Sequence, residues 1–280
     1  ASYCYRIGKW DSSYYYYEKA QKIYSNLEEN KFLAGMLLNK FLIQKEIKDY
    51  LGGEVTLMNA LRVFKPLGPS RQLYLTYNHL GVLHNALDNF DLALEYHFKA
   101  LETDILLDSK NLGTTYNNIG VIKKNLELYE EAIKYFSKGL EIENLKEDNP
   151  RLYAMLLDNI TYSNFRLGNR INFADFMEAL RIRKEINHFS GIATSYLHIG
   201  EFYSEVGEKE LAICYFTMAS EISRKYKIYP SLQESLILLS DIQPNNSDEL
   251  LREHIKISDS LIKQERLVQN KFARIKFQTD

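Results

Sequence analysis

Apolar side chains recur along this chain at three- and four-residue intervals, the spacing that places them on one stripe of an α-helix. In the stretch TTYNNIGVIKK (residues 114–124), Tyr116, Ile119 and Gly120 mark such a stripe, interrupted by the amides Asn117 and Asn118. The same pattern returns elsewhere. YNHLG ends at Gly81, YNNIG at Gly120 and YLHIG at Gly200, with LDNIT ending at Thr161 close to the midpoint of the last interval. The period is close to 40 residues. Weaker copies end at Phe41 and Ser240.

The second half of each period agrees. Nineteen residues after the anchors stand Ala60, Ala100, Gly139, Leu180 and Ala219; twelve after them stand Gly53, Ala93, Ala132, Phe173 and Ala212. Small residues at these positions let one helix lie closely on the next. Each period therefore predicts a helix A, a short turn, a helix B and a linker. Pro66, Pro69, Pro150 and Pro230 fall between periods and Pro244 between the last two helices, where the missing N–H and fixed φ do no harm. Gly8, Gly168 and Gly207 stand where helix A should stop, as helix C-termini favour.

The motifs Tyr77-x2-Leu80-Gly81 with Phe90-x2-Ala93 and Ala100, Tyr116-x2-Ile119-Gly120 with Tyr129-x2-Ala132 and Gly139, and Tyr196-x2-Ile199-Gly200 with Tyr203, Gly207, Ala212, Phe216 and Ala219 resemble the tetratricopeptide repeat family. The resemblance runs over nearly the whole chain, with degenerate units at Phe41 and Thr161 and a poor last one. It implies an all-α fold, a right-handed α-solenoid of antiparallel helix pairs with about six and a half units. The family's usual period is 34, so the helices here should be about a turn longer.

The ends carry further expectations. Ala20 lies 40 residues before Ala60, so the first unit would start inside its helix A and residues would once have preceded Ala1. Residues 1–246 are expected to form the repeat array, and 247–280 one long helix, N-capped by Ser247. That helix carries a stripe of Leu250, Ile257, Leu261, Val268, Phe272 and Ile275. It either caps the array or leads to a further module. QERLVQNKFARIKFQTD (264–280) resembles the segment that leaves the array in bacterial membrane-anchored regulators. This implies a sensor segment, periplasmic in that case and cytoplasmic otherwise.

Turning helix A by 100° per residue puts the position two before the anchor opposite the packing stripe. There stand Asn39, His79, Asn118, Asn159 and His198, with Asn78, Asn117 and Asp158 on the flank. The family resemblance makes this face the inner groove. Amides both donate and accept hydrogen bonds and suit a peptide backbone. Tyr162, Lys124, Arg166 and Glu201 join the same face, the cations suited to a carboxylate and Glu201 to a basic group. Two readings stand side by side: the row contacts a ligand, or it bonds adjacent helices together and fixes their pitch.

Composition narrows the function. The chain of 280 residues is 45% hydrophobic and 26% charged with a net charge of −2, giving no general attraction to nucleic acid. No apolar run reaches the roughly 20 residues of a membrane span. Cys4 and Cys214 match no metal or redox spacing. There is no phosphate loop and no zinc-protease motif. His84 and His97 are expected to face each other inside one unit, and the run Tyr14–Tyr17 to divide between core and surface. A groove that captures a peptide or protein segment, without catalysis, cofactor or metal, is the expected function. A scaffold that works through its ends or convex face, including self-association, is the alternative, and a helical-repeat enzyme the weakest one.

Overall fold

The computed structural model describes residues 10–26, 30–107, 111–169 and 171–279. Its helices are α1 (Trp10–Asn26), α2 (Asn30–Glu46), α3 (Tyr50–Phe64), α4 (Arg71–Ala86), α5 (Phe90–Leu106), α6 (Leu112–Asn125), α7 (Tyr129–Leu140), the single turn α8 (Leu145–Asp148), α9 (Pro150–Arg166), α10 (Phe173–Glu185), α11 (Phe189–Glu205), α12 (Lys209–Tyr226), α13 (Tyr229–Ile242) and α14 (Ser247–Thr279). Among the described residues no strand occurs, and the fold is the all-α solenoid class of helix pairs. The expected helix-A stop at Gly8 and the first helix A lie outside the described residues.

The chain divides into two compact units: Ala1–Ile122 with Ile262–Asp280, and Lys123–Leu261. In the first, α1 packs on α2, α2 on α3, α3 on α4 and α4 on α5. In the second, α9 packs on both α7 and α10, and α10 through α13 follow in chain order. Turns of a few residues join most neighbours, which makes them antiparallel hairpins.

Small residues bring the helices together as the spacing required. Ala60, Ala93, Ala100, Ala132, Ala212 and Ala219 are fully buried. The tightest contact is at the anchors. A Cβ added to Gly81 would stand 2.6 Å from the His97 ring, and one added to Gly200 would stand 2.5 Å from Phe216. Both rings come sixteen residues after their glycine, on the facing helix B. In the degenerate unit the register differs from the expectation. There Ala179, not Leu180, is the fully buried small residue, packed with Ala154 and Ile182. Phe176 takes the ring position one residue early. The segment between α9 and α10 is longer than its counterparts, so helix B enters at a different residue.

Helix A ends on a left-handed residue in five hairpins, where Lys48, Asp88, Glu127, Gly168 and Gly207 have φ of 56°, 56°, 59°, 70° and 85°; between α13 and α14 Gln243 has φ −119° instead. The sequence marked only the two glycines, because the other three positions carry residues that pay to adopt this conformation. Helix starts use side-chain caps where they are available: Ser70 Oγ accepts from the Leu73 N–H at 3.2 Å and Asn149 Oδ1 from the Leu152 N–H at 3.1 Å.

Helix α14 enters from a 3-10 turn over Pro244–Asn246, so Ser247 has helical dihedrals (φ −55°, ψ −46°) and is not the N-cap the sequence suggested. Its stripe is used at both ends. Leu250 packs with Leu239 and Ile242 in the second unit. In the first unit Phe272 is buried against Tyr14, Tyr17, Ile43 and Ile47, with Val268 and Ile275 beside it. The Tyr14 and Phe272 rings meet edge to face at 5.1 Å. Lys48 pairs with Glu265 and Lys271 with Asp11. Of the tyrosine run, Tyr14 and Tyr17 are core and Tyr16 is exposed.

His84 and His97 are both buried but take different partners. His84 stacks on Tyr96 at 5.4 Å and lies 3.8 Å from Glu54, while His97 covers Gly81. Burial lowers the His97 pKa to about 4. The folded state thus favours neutral imidazole. Its contribution is complete above the unfolded pKa near 6.5 and disappears as pH falls through 6.5 towards 4.

Two outcomes follow. Replacing His97 by Phe, the residue found at the matching position over Gly200, should shrink the stability lost between pH 7.5 and 5 by about 2 kcal/mol, read from urea unfolding at the two pH values. Glu127→Gly should raise the urea midpoint, by about 0.5–1 kcal/mol of stability, and Gly207→Ala should lower it by about 1 kcal/mol, because only the backbone conformation is at stake at these turns.

Candidate ligand-binding surface

In the first unit Asn39 Nδ2 donates to the Gly35 carbonyl of its own helix at 3.1 Å. His79 lies on the Phe41 ring, centroids 5.0 Å apart, and burial together with the Lys45 charge lowers its pKa to about 4. It is neutral at pH 7. Asn118 Nδ2 of α6 donates to Asn78 Oδ1 of α4 at 3.0 Å. Asn117 faces inward and is buried. A second link, Tyr74 Oη to Thr115 Oγ1 at 3.2 Å, joins the same helices on their buried side.

The second unit repeats the bond with charge in it. His198 Nδ1 of α11 meets Asp158 Oδ2 of α9 at 2.8 Å, again 40 residues apart. The donor position is two before the anchor and the acceptor position three before, as in the Asn118–Asn78 pair. Asp158 is completely buried and also receives Arg183 Nη1 of α10 at 3.1 Å, while the same guanidinium nitrogen donates to Ser195 Oγ at 2.6 Å. Burial alone would raise the Asp158 pKa; Arg183 and His198 outweigh it and hold the carboxyl well below the usual range. Asp158, expected on the flank of a groove, is therefore an interior anion whose Oδ2 oxygen ties three helices together. The sequence did not single out Arg183, which sits in the charge-rich run LRIRKE with no spacing to distinguish it.

Beside this cluster lies an aromatic and cationic group centred on Tyr162, itself a buried ring of the second unit's core. Tyr162 stacks on His198, centroids 4.0 Å apart. Lys124 Nζ stands 5.3 Å from the Tyr162 ring centroid and donates to Asn159 Oδ1 at 3.2 Å. Arg166 Nη1 donates to the Tyr162 hydroxyl at 3.0 Å. Its guanidinium lies between two rings, 5.7 Å from Tyr129 and 5.9 Å from Tyr162. Tyr129 was not among the expected residues, since helix-B starts are not expected on an inner face. Burial and Glu201 raise the Tyr162 pKa, so its hydroxyl is a permanent donor. Burial lowers the Lys124 pKa, against the opposing pull of Asp158, Glu234 and Glu201.

Among the described residues no carboxylate lies within ion-pair distance of Lys124 or Arg166, in contrast to Arg183 with Asp158, Lys123 with Glu131 and Arg224 with Glu253 in the same unit. Two cations thus converge on one tyrosine ring, and each is held by a neutral hydrogen-bond partner. Glu201 Oε2 nearby is a buried oxygen with no hydrogen-bond donor. Among the described residues no group of three His, Cys, Asp or Glu side chains could hold a metal, and no helix is long and apolar enough to cross a membrane.

Residues 72–144 match the tetratricopeptide repeat family model, over the units with the clearest motifs. No curated protein matches the sequence. The fold is similar to the apo form of RapI, with 17% identity and a TM-score of 0.69 over 89% of this chain and 99% of that one. It is also similar to the Rap conjugation gene regulator of the plasmid pLS20 in complex with the Phr* peptide, with 16% identity and a TM-score of 0.69 over 96% and 73%. A third similar structure is NprR in complex with its cognate peptide NprX, with 17% identity and a TM-score of 0.61 over 98% and 83%. The tetratricopeptide resemblance and the all-α solenoid expected from the repeats are borne out.

The two versions of the inter-helix bond should differ in weight. Asp158→Asn leaves the Arg183 guanidinium buried without its counter-charge and should cost about 3–5 kcal/mol. Asn118→Ala removes one half-exposed neutral bond and should cost about 1 kcal/mol. Urea unfolding of the two single variants measures both.

Proposed function

We propose that this chain is a non-catalytic, peptide-binding repeat domain that serves as the sensory or regulatory segment of a bacterial signalling protein. The observation that carries the reading is the Tyr162 platform. Lys124 and Arg166 converge on it without carboxylate partners, Asn159 positions the lysine, and Glu201 offers an unpaired oxygen beside it. That set suits a ligand with a carboxylate and nearby backbone amides. The peptide complexes of the pLS20 regulator and of NprR support it through fold likeness. The first-unit residues Asn39, Asn78, His79, Asn117 and Asn118 belong to the proposal to different degrees. Asn78 and Asn118 keep exposed amide surface after bonding each other, whereas the buried Asn117 serves packing.

The test is selection of peptides from a random octapeptide display library, followed by affinity measurement on variants. Lys124→Ala with Arg166→Ala should weaken the selected peptides by at least about tenfold, one lost charge-assisted bond being worth that much. Lys134→Ala and Lys138→Ala, on α7, should change nothing. Equal affinity for both double variants, or selected peptides whose carboxylates can be amidated without loss, would remove the platform from the reading.

A further inference from the structure

The residue six positions after the anchor is aliphatic in five consecutive units: Ile47, Leu87, Leu126, Leu167 and Val206. In each it directly precedes the left-handed residue that stops helix A, so all five stand at the same corner of their hairpins. The corner of the first hairpin is covered. Ile47 is only 3% exposed, because Tyr14, Tyr17 and Phe272 enclose it with Val268 beside them. The part of this cover that comes from α14 is an amphipathic helix, and its polar flank is fastened to the next residue of the turn. Glu265 pairs with Lys48, and Gln269 Nε2 donates to the Lys48 carbonyl at 3.4 Å.

The second unit repeats this corner three times and leaves it open: Leu126, Leu167 and Val206 are 36%, 37% and 53% exposed. Their helices are neighbours, α6 being bonded to α9 through Lys124 and Asn159, and α9 to α11 through Asp158 and His198. Packed helices lie about 8–10 Å apart, so the three side chains form a row with a step of that size. An α-helix presents one face every seven residues, roughly 10 Å along its axis. Val268 and Ile275 stand at that interval in α14. A helix of the same type laid across the turns would therefore seat one apolar residue on each. Its charge can also be read. Where Ile47 is followed by Lys48, Leu126 is followed by Glu127, which is exposed and, among the described residues, has no cation within ion-pair distance. A helix on this row would need a cation where α14 carries Glu265.

We propose that the row Leu126, Leu167 and Val206 docks an amphipathic helix of a partner protein, with an aliphatic or aromatic residue at every seventh position and a lysine or arginine beside Glu127. The cover over Ile47 is the pattern for this contact within the same chain. The row shares no residue with the Tyr162 platform, so either reading can fail alone.

The test is fluorescence anisotropy of a labelled synthetic peptide spanning Ile262–Thr279, which copies the covering turns of α14, titrated with the whole chain. It is made with the native sequence and with Glu265→Lys. The Glu265→Lys peptide should bind, and at least about threefold more tightly than the native one. Leu167→Asp in the whole chain, a change at an exposed position, should weaken it by at least about tenfold. Glu127→Lys, which places at this turn the residue type that Lys48 has at the first, should reverse the order of the two peptides. No binding of either peptide at millimolar concentration, an unchanged order on Glu127→Lys, or undiminished affinity for the folded Leu167→Asp variant, which would put the peptide at Ile47 instead, would overturn the proposal.

Discussion

A ring lying where a side chain would otherwise be is the contact on which the Gly81 and Gly200 hairpins depend. His97 over Gly81 and Phe216 over Gly200 reach into the space that a Cβ would fill, so helix A and helix B approach to the limit their backbones allow. Packing this tight leaves few rotations open to helix A, because its neighbours match the shape of one face only. Once that face is committed, the residue two before the anchor is turned away from its helix B and towards the preceding helix A. The bonds Asn118–Asn78 and His198–Asp158 are consequences of that rotation.

These bonds show one position solved with two kinds of chemistry. The first unit uses two neutral amides, each satisfied by the other and still able to accept or donate further. The second unit buries an aspartate, which in isolation would be prohibitive, and answers it with a guanidinium from α10 and an imidazole from α11. The neutral version leaves both amides partly exposed. The charged version spends one carboxylate oxygen on the interior, and Tyr162 and Arg166 lie about one and two turns further along α9.

Tyr162 stacks on His198 and accepts a hydrogen bond from Arg166, so the ring links the buried anion's imidazole partner to the two cations that converge on it. The positive groups nearest the surface are thereby held by aromatic faces and amide oxygens, partners that orient a cation without neutralising it.

Much of the fold was legible in the sequence, because helical periodicity, the 40-residue recurrence and the run of small residues are local or pairwise properties of the chain. The glycine stops at Gly168 and Gly207 and the division of the Tyr14–Tyr17 run between core and surface needed nothing more, whereas the packed helices decide that Tyr14 and Tyr17 are the buried pair. What the sequence could not fix were partners. Whether Asp158 faced solvent or the interior depended on Arg183, which comes from another helix and carries no mark of its role. The shift that buries Ala179 in place of Leu180 depended on where a longer connection lets helix B begin. The convergence of Tyr129, Lys124 and Arg166 on one ring and the cover that Phe272 gives Ile47 likewise exist only once separate helices are brought side by side. Periodicity determines which way a side chain leaves its own helix; only the packed structure decides what it meets.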